Sequence, residues 1–367
     1  MHILIAPDKF KGTLSAPEVC QIVANAFSSR IVSSKITTCP IADGGDGFMD
    51  ILRHHSQGNL VPCSATDALG RPITAHYALC GNTAVIEMAT ASGLAHISPH
   101  QLDIWESSTI GTGEMIRHAT ETHHVDRILI GIGGSATNDA GCGMAHALGA
   151  QFLDSHQQPI SPTPRGLRTC SSINLENVIP LPKITVACDV DNPLLGERGA
   201  TMTYASQKGA SPADLLELEN TLHHIAHLTN ATHHTVSPGA GAAGGLGFGL
   251  LHFCNAALVP GFDLISAELR LEEKISQADI VITGEGKLDA QTTQGKGPAG
   301  VAQLARKHNK PVFALAGCIE DGAESLFDHA ISLHSPDRKL SETLTRSREL
   351  LAIEAKNLAE FIQRNLP

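Results

Sequence analysis

Short apolar segments, each followed by a glycine-rich or acidic loop and then a helix, recur along the chain and limit its fold more than any other feature. Buried strands of this kind are predicted at residues 2 to 6, 37 to 42, 126 to 130, 184 to 190, 279 to 286 and 311 to 317. Continuous apolar strands that alternate with helices are typical of parallel sheets covered by helices. The sequence therefore predicts an α/β protein with largely parallel sheets, in which ligands bind beyond the carboxyl ends of the strands.

Three other segments complete this prediction. Ser15 and Glu18 have the spacing of a capping box, which predicts a helix over residues 16 to 28. Residues 59 to 88 read as short strands separated by turns. Residues 338 to 363 predict a helix with an apolar face that consists of Leu340, Leu344, Leu351, Ala355, Leu358 and Ile362.

Composition excludes several classes of protein. A chain of 367 residues is long enough for two domains. Its net charge of −11 and its small aromatic content (10 Phe, 2 Tyr and 1 Trp) argue against nucleic acid or an anionic membrane as the main partner. Nine cysteines without CxxC spacing indicate reduced thiols. We find no apolar run long enough for a signal peptide or a membrane span, so we expect a cytoplasmic protein.

Two glycine-rich strings resemble nucleotide-binding fingerprints. GAGAAG (239 to 244) matches GxGxxG but follows no strand, which favours a closely packed or flexible backbone segment over a dinucleotide site. GIGGSA (131 to 136) follows a predicted strand and opens towards a helix, as an anion-binding loop of backbone amides would. Ser135, Thr137, Asn138 and Asp139 add polar side chains there. These predict contacts to a small polyhydroxylated or phosphorylated substrate, with helix capping as the alternative.

Phosphoryl transfer remains open although GxxxxGK[ST] is absent, because that chemistry needs positioned cations, carboxylates for Mg²⁺ and a base for the acceptor hydroxyl. Lys9 and Lys11 follow the first strand, where they could neutralise an anion or simply be solvated. Asp43 and Asp46 flank two glycines, which fits either metal binding or a turn with a helix cap.

Two later loops carry further candidates. Asp189 and Asp191 end a predicted strand, and the strand period of two would place both carboxylates on one face for Mg²⁺ ligation or general-base work. The segment GEGKLDAQT (284 to 292), with Lys296 beyond it, could bind phosphate and Mg²⁺. An exposed turn is the alternative reading at each of these loops.

Together these strings resemble the glycerate kinase type 1 family, bacterial kinases of D-glycerate. The segments that carry the resemblance run in family order along essentially the whole chain: APDKFKGTLSA (6 to 16), IADGGDG (41 to 47), VIEMATASGL (85 to 94), STIGTGEMI (108 to 116), GIGGSATNDAGCGM (131 to 144), VACDVDNPLLG (186 to 196), GAAGGLG (241 to 247), ITGEGKLDAQT (282 to 292) and GKGPAGVA (295 to 302). The chain departs from the family pattern at Lys9, where Ser is usual, in YASQKGA (204 to 210), where Gly-Pro usually replaces Ala205-Ser206, and at residues 161 to 170.

The resemblance implies two α/β domains: a Rossmann/flavodoxin-like parallel-sheet domain from residues 1 to 70 plus 285 to 367, and an inserted second α/β domain from 71 to 284, with the active site in the cleft between them. It implies ATP-dependent phosphorylation of D-glycerate with Mg²⁺, with 2-phosphoglycerate favoured as the product. Kinase activity on another small hydroxy acid, a non-catalytic metabolite sensor and a Rossmann-type dehydrogenase are the alternatives. ATP and D-glycerate are the expected small-molecule partners of a monomer or homodimer.

From the resemblance and the loop chemistry we assign residues to roles. The predicted catalytic residues are Asp189, which acts as base or orients the hydroxyl, Asp191, and Lys11, which offsets developing charge. Substrate binding is predicted at Gly133, Gly134, Ser135, Thr137, Asn138, Asp139 and Asn192. Nucleotide binding is predicted at Asp43, Gly44, Gly45, Gly284, Glu285, Gly286 and Lys296. Metal binding is predicted at Asp46, Asp191 and Asp289.

Overall fold

The structure is a computed structural model that describes residues 1–367 except Asp43, Asp46, residues 290–296, Asp321 and residues 366–367. It divides the chain into two compact units. Unit 1 consists of Met1–Asp43 and Phe262–Pro367, and unit 2 consists of Gly44–Gly261. The two chain ends thus form one unit and the middle of the chain forms the other. The middle unit begins at residue 44 and ends at residue 261, whereas the predicted inserted domain begins at residue 71 and ends at residue 284.

The strands and helices alternate through most of the chain. The strands are β1 His2–Ile5, β2 Lys35–Thr38, β3 Asn59–Thr66, β4 Pro72–Cys80, β5 Thr83–Glu87, β6 Arg127–Gly131, β7 Gln151–Leu153, β8 Ser172–Asn174, β9 Lys183–Ala187, β10 Ala257–Val259, β11 Ile280–Leu288, β12 Val312–Ile319 and β13 His329–Ser332. The helices are α1 Ala16–Arg30, α2 Phe48–Ser56, α3 Ala89–Ser92, α4 Ile110–His123, α5 Cys142–Ala147, α6 Pro164–Leu167, α7 Ala200–Tyr204, α8 Leu215–Leu228, α9 Ala242–Cys254, α10 Gly261–Glu268, α11 Leu271–Gln277, α12 Pro298–Lys307, α13 Leu340–Thr345 and α14 Ser347–Asn365.

Unit 1 is built on a parallel sheet with the order β13-β12-β11-β1-β2. Ile3, Leu4 and Ile5 of β1 are fully buried, which explains why this apolar run forms a central strand. Helices α1 and α14 pack together and share a core with the sheet. At the start of α1 the Glu18 carboxylate accepts a hydrogen bond from the Ser15 N–H (3.0 Å), so the predicted capping box is present.

Unit 2 contains a mixed sheet with the order β10-β9-β6-β5-β4-β3. Strands β5, β6, β9 and β10 pair in parallel, whereas β3, β4 and β5 pair antiparallel as a meander. A second, short antiparallel pair joins β7 and β8. The α/β class with largely parallel sheets is therefore confirmed.

Three predicted elements have different limits. Strand β9 ends at Ala187, so Asp189 and Asp191 lie in a loop and not on one strand face. Strand β11 runs on to Leu288, so GEGKL is strand and not loop. The predicted C-terminal helix is broken at Arg346 into α13 and α14. The predicted apolar face is consequently wrong at its start: Leu340 and Leu344 are exposed, whereas the members in α14 (Leu351, Ala355, Leu358 and Ile362) are fully buried.

Two further predictions concern thiols and membranes. All nine cysteines are free, as expected for a chain without disulfides. In the portion of the chain that the structure describes, no helix combines the length and the apolar character needed to cross a membrane.

Candidate active site

The carboxyl ends of β6 and β9 in unit 2 meet the backbone of Gly44. Gly44 has a φ of +86°, and a Cβ there would lie 2.7 Å from the Ala187 Cβ and 3.3 Å from Oδ2 of Asp189. A Cβ on Gly131 would in turn lie 2.7 Å from the Gly44 carbonyl oxygen. Only glycine permits this approach. Gly44 is thus held against the strand ends, beside Asp189.

The loop after β6 lies at the same edge of the sheet. Gly133 and Gly134 are exposed, and a Cβ on Gly133 would come within 3.2 Å of the Gly45 Cα. The Gly134 carbonyl accepts a hydrogen bond from Leu94 N (3.0 Å), which ties the loop to the segment after α3. Among the described residues, the amides of Gly133 and Gly134 donate to no backbone carbonyl. They therefore have the properties of an anion-binding loop.

The polar side chains of this loop point away from solvent. Thr137 and Asp139 are fully buried, and Asn138 is 1% exposed. The Asn138 amide donates to Thr201 Oγ1 (3.3 Å), and its Oδ1 has no hydrogen-bond partner in the described part of the chain. Burial of this order fits side chains that fix the loop from behind more than side chains that touch a substrate.

Asp139 shows this most clearly. Its Oδ2 accepts hydrogen bonds from Thr109 N (2.7 Å), Thr109 Oγ1 (2.8 Å), Gly143 N (3.1 Å) and Ser108 Oγ (3.2 Å), and its Oδ1 accepts one from Gly141 N (3.1 Å). Burial raises the pKa of this carboxyl, and the bonds from Thr109, Gly143 and Gly141 oppose that rise. The amides of Gly141 and Gly143 belong to the start of α5, so the capping alternative describes Asp139 better than substrate contact.

Sequence reasoning missed Lys208, at the end of a short 3-10 turn over Ser206–Lys208. Its side chain is 2% exposed. The ammonium donates to Ser135 Oγ (2.8 Å) and to the Thr137 carbonyl (2.7 Å). Burial lowers the pKa of Lys208 to about 7, and the Asp139 carboxylate opposes this shift. The string YASQKGA contains no apolar periodicity that would predict a buried lysine. The partners of Lys208 lie about 70 residues earlier in the sequence.

The acidic loop after β9 separates its two carboxylates. Asp189 is half-buried, and its Oδ1 accepts a hydrogen bond from Gly261 N (2.9 Å). The Asp191 side chain is 72% exposed and pairs with Arg198 (2.7 Å). The Asn192 amide donates to the Arg198 carbonyl (2.7 Å) and its Oδ1 accepts from the Tyr204 hydroxyl (2.7 Å). Of the three predicted site residues here, Asp189 alone lies against Gly44.

A cavity of about 420 Å³ lies in unit 1, where the loop after β1 meets the carboxyl-terminal parts of β11 and β12. Lys9 and Lys11 line it together with Glu285, Gly286 and Lys287. Apolar side chains complete its wall, among them Phe10, Leu333, Leu340 and Leu344. A cavity lined by both lysines and apolar side chains has the composition of a site for an anion that carries a ring.

Not all the predicted residues of this region face the cavity. A Cβ on Gly284 would lie 1.9 Å from the Leu315 carbonyl oxygen, so this glycine permits the close pairing of β11 with β12. Gly286 is open to the cavity beside the Lys11 backbone. Lys287 pairs with Glu320 (2.6 Å) and Asp289 (3.4 Å), and these bonds raise its pKa.

The remaining predictions concern metal and dinucleotide binding. Asp43, Asp46 and Lys296 lie outside the described residues. Within the described ranges, no group of three or more His, Cys, Asp or Glu side chains is arranged to hold a metal ion. In the GAGAAG string, a Cβ on Gly241 would lie 2.1 Å from the Pro193 carbonyl oxygen, and one on Gly244 would lie 1.8 Å from that of Thr137. This fits the closely packed backbone reading of that segment.

Comparisons with known proteins match almost the entire chain. The sequence profile of the glycerate kinase family matches residues 3–363. The glycerate 2-kinase of Escherichia coli K12 is 41% identical over 339 residues, which cover 90% of this chain and 89% of the relative. The glycerate kinase of Halalkalibacterium halodurans is 40% identical over 371 residues, or 97% of each chain. A crystal structure assigned to glycerate kinase 2 of Salmonella typhimurium LT2 superposes with a TM-score of 0.90 at 39% identity, covering 99% of this chain and 98% of that one.

Proposed function

Because the chain belongs to the glycerate kinase family, we propose that it transfers the γ-phosphoryl group of ATP to a hydroxyl group of D-glycerate and releases ADP. The observation that carries this proposal is the match of residues 3–363, which includes both units and every loop at the carboxyl ends of their parallel strands. Both relatives described above are named as glycerate kinases.

Unit 2 supplies the proposed glycerate-binding residues. The exposed amides of Gly133 and Gly134 can hold the substrate carboxylate, because oriented N–H groups stabilise an anion without the desolvation cost of a buried cation. Asp189 is the proposed base or hydroxyl-orienting group. One of its oxygens is fixed by the Gly261 amide, and the other lies beside Gly44. Asp191 stays a secondary candidate, since its carboxylate is exposed and paired with Arg198.

Unit 1 supplies the proposed nucleotide-binding residues. Lys9 and Lys11 can neutralise phosphate charge, and Leu340 and Leu344 offer apolar surface for a base. Glu285 and Gly286, two of the residues predicted to bind the nucleotide, line the same cavity. An acidic protein with a net charge of −11 needs such local cations to bind an anionic ligand.

Magnesium is part of this proposal. Mg²⁺ prefers oxygen ligands and commonly takes one or two carboxylates together with substrate phosphates, so a cluster of three acidic side chains is not required. Glu285 in the cavity wall and Asp289 are oxygen donors of the right kind. When bound, the ion would neutralise charge on the transferred phosphoryl group.

A coupled assay of ADP release tests the main claim. The purified chain should release ADP with D-glycerate, ATP and Mg²⁺ together, and not when any one of the three is left out. Phosphorus NMR of the product then separates 2-phosphoglycerate, which we expect, from 3-phosphoglycerate. Binding of glycerate without turnover would instead indicate a sensor, and faster turnover of tartronate or a sugar acid would indicate another substrate.

Asp189→Asn tests the proposed base. General-base assistance contributes roughly 10²–10⁴ to a rate, so kcat should fall by about 10² or more while the KM for glycerate changes by only a few fold. Asp126→Asn is the matched control, because Asp126 is an exposed carboxylate of the same unit that bonds to the Asn82 amide. Equal losses in kcat and in glycerate affinity would mean that Asp189 only positions the substrate.

A further inference from the structure

Lys208 is a buried ammonium that the proposed mechanism does not use. Its side chain is 2% exposed, although a lysine is rarely buried unless its ammonium group is paired or hydrogen-bonded. Both of its observed hydrogen bonds go to the loop after β6, one to a side chain (Ser135 Oγ, 2.8 Å) and one to the backbone (Thr137 O, 2.7 Å). The lysine thus joins two points of this loop that lie on either side of Ala136.

The loop has a second buried anchor at its far end. Asp139 fixes the residues that lead into α5 through the amides of Thr109, Gly141 and Gly143. Between β6 and Asp139, the Ser135 side chain and the Thr137 carbonyl depend on Lys208 for their buried partner. The exposed amides of Gly133 and Gly134 come directly before the first of these contacts. Lys208 therefore fixes the residues that directly follow these two glycines, next to the backbone bonds from Leu94 N to the Gly134 carbonyl (3.0 Å) and from Ala136 N to the Ser92 carbonyl (3.0 Å).

Charge supports the same conclusion. Burial lowers the pKa of Lys208 to about 7, and Asp139 is the charged group that opposes this shift. A bound anion at the adjacent amides would favour the protonated lysine, because an opposite charge nearby stabilises an ammonium. A cation behind the loop also adds positive potential at the amides of Gly133 and Gly134.

We propose that Lys208 is a positioning residue for the acceptor substrate: it holds the Gly133 and Gly134 amides in the conformation that binds the carboxylate of a small hydroxy acid. This inference rests on the proposed function, since it assigns a role at the same site. It does not give Lys208 contact with the reacting atoms.

Steady-state kinetics of Lys208→Met test the proposal. Loss of two charge-assisted hydrogen bonds should raise the KM for D-glycerate by roughly tenfold or more and leave the KM for ATP within about twofold. Lys208→Arg keeps a cation and should recover part of the lost affinity. Lys183→Met is the matched control, because Lys183 is an exposed lysine at the start of β9 in the same unit. A KM for glycerate that stays within about twofold in a folded Lys208→Met protein overturns the proposal.

Hydrogen–deuterium exchange gives a readout that does not depend on activity. The amides of residues 131 to 140 should exchange faster in Lys208→Met than in the wild type, with no change in unit 1. If the wild-type chain has no glycerate kinase activity, the proposed function fails, yet this measurement still decides whether Lys208 holds the loop. Unchanged exchange there overturns the inference even if the enzyme is active. If Lys208→Met does not fold, Ser135→Ala replaces it in the exchange measurement, because it removes one of the two Lys208 bonds from the side of the loop; unchanged exchange at residues 131 to 140 in that variant overturns the inference.

Discussion

Replacement of Asp139 by alanine should destabilise unit 2 more than any exposed acidic substitution. The carboxylate accepts five hydrogen bonds in a fully buried position. The hydroxyl of Ser108 has an alternative acceptor in the Pro162 carbonyl (3.2 Å), and that of Thr109 can rotate. The amides of Thr109, Gly141 and Gly143 have no such freedom, because their backbone is fixed at the start of α4 and α5.

These three amides set the magnitude. An unsatisfied buried donor costs about 1–3 kcal/mol, so the upper limit is about 9 kcal/mol. Water that enters the space left by the carboxylate will satisfy part of this demand, which brings the expected loss to about 3–5 kcal/mol. Asp139→Asn keeps one acceptor oxygen and should cost less, about 1.5–3 kcal/mol.

Thermal unfolding followed by circular dichroism measures this loss. At about 2–4 °C for each kcal/mol in a unit of this size, a loss of about 3–5 kcal/mol in Asp139→Ala should lower the Tm of unit 2 by about 6–20 °C. Asp126→Asn serves as the exposed control and should stay within about 0.5 kcal/mol of the wild type. A Tm for Asp139→Ala equal to that of the control would refute the argument that buried amides depend on this carboxylate.

The other predictions concern backbone packing, pH and the cavity of unit 1. In urea unfolding, Gly244→Ala should destabilise the protein by about 3 kcal/mol or more, because the new Cβ would lie 1.8 Å from the Thr137 carbonyl oxygen. Gly196→Ala should cost only about 1 kcal/mol, because Gly196 also has a positive φ but no atom lies within 4 Å of its Cβ position. Equal losses would show that φ alone matters at both positions. For Lys208, the pKa in the folded state is about 7, below the ordinary value of 10.5, so between these pH values the unfolded chain binds one proton more than the folded chain. The free energy of unfolding of the wild type relative to Lys208→Met should therefore rise from pH 7 to pH 10.5. A relative free energy of unfolding that falls with pH would contradict the lowered pKa. Lys11→Met should raise the KM for ATP by roughly tenfold and leave the KM for glycerate nearly unchanged, as measured by ADP release, and the reverse pattern would place the acceptor in the unit 1 cavity.

Local patterns determined the fold class of this protein. The apolar run Ile3, Leu4 and Ile5 predicted the buried strand that the structure contains, and Ser15 with Glu18 predicted the start of the next helix through contacts three residues apart. Patterns of this kind depend only on residues that are close in sequence, so they predict strands and helices without knowledge of the rest of the chain. The loops that follow the strands, and with them most candidate site residues, could therefore be placed from the sequence.

Only tertiary structure decided what each loop residue does. Asp139 and Gly133 are six positions apart in one polar string, yet the first is buried under Thr109 and the second is exposed. Asp189 and Asp191 look equivalent in sequence, but the end of β9 at Ala187 sends one towards Gly44 and the other towards Arg198. Lys208 gained its partners from a loop about 70 residues earlier. Burial and pairing of this kind depend on contacts between segments that are distant in sequence, and a local sequence pattern does not predict which segments will be in contact.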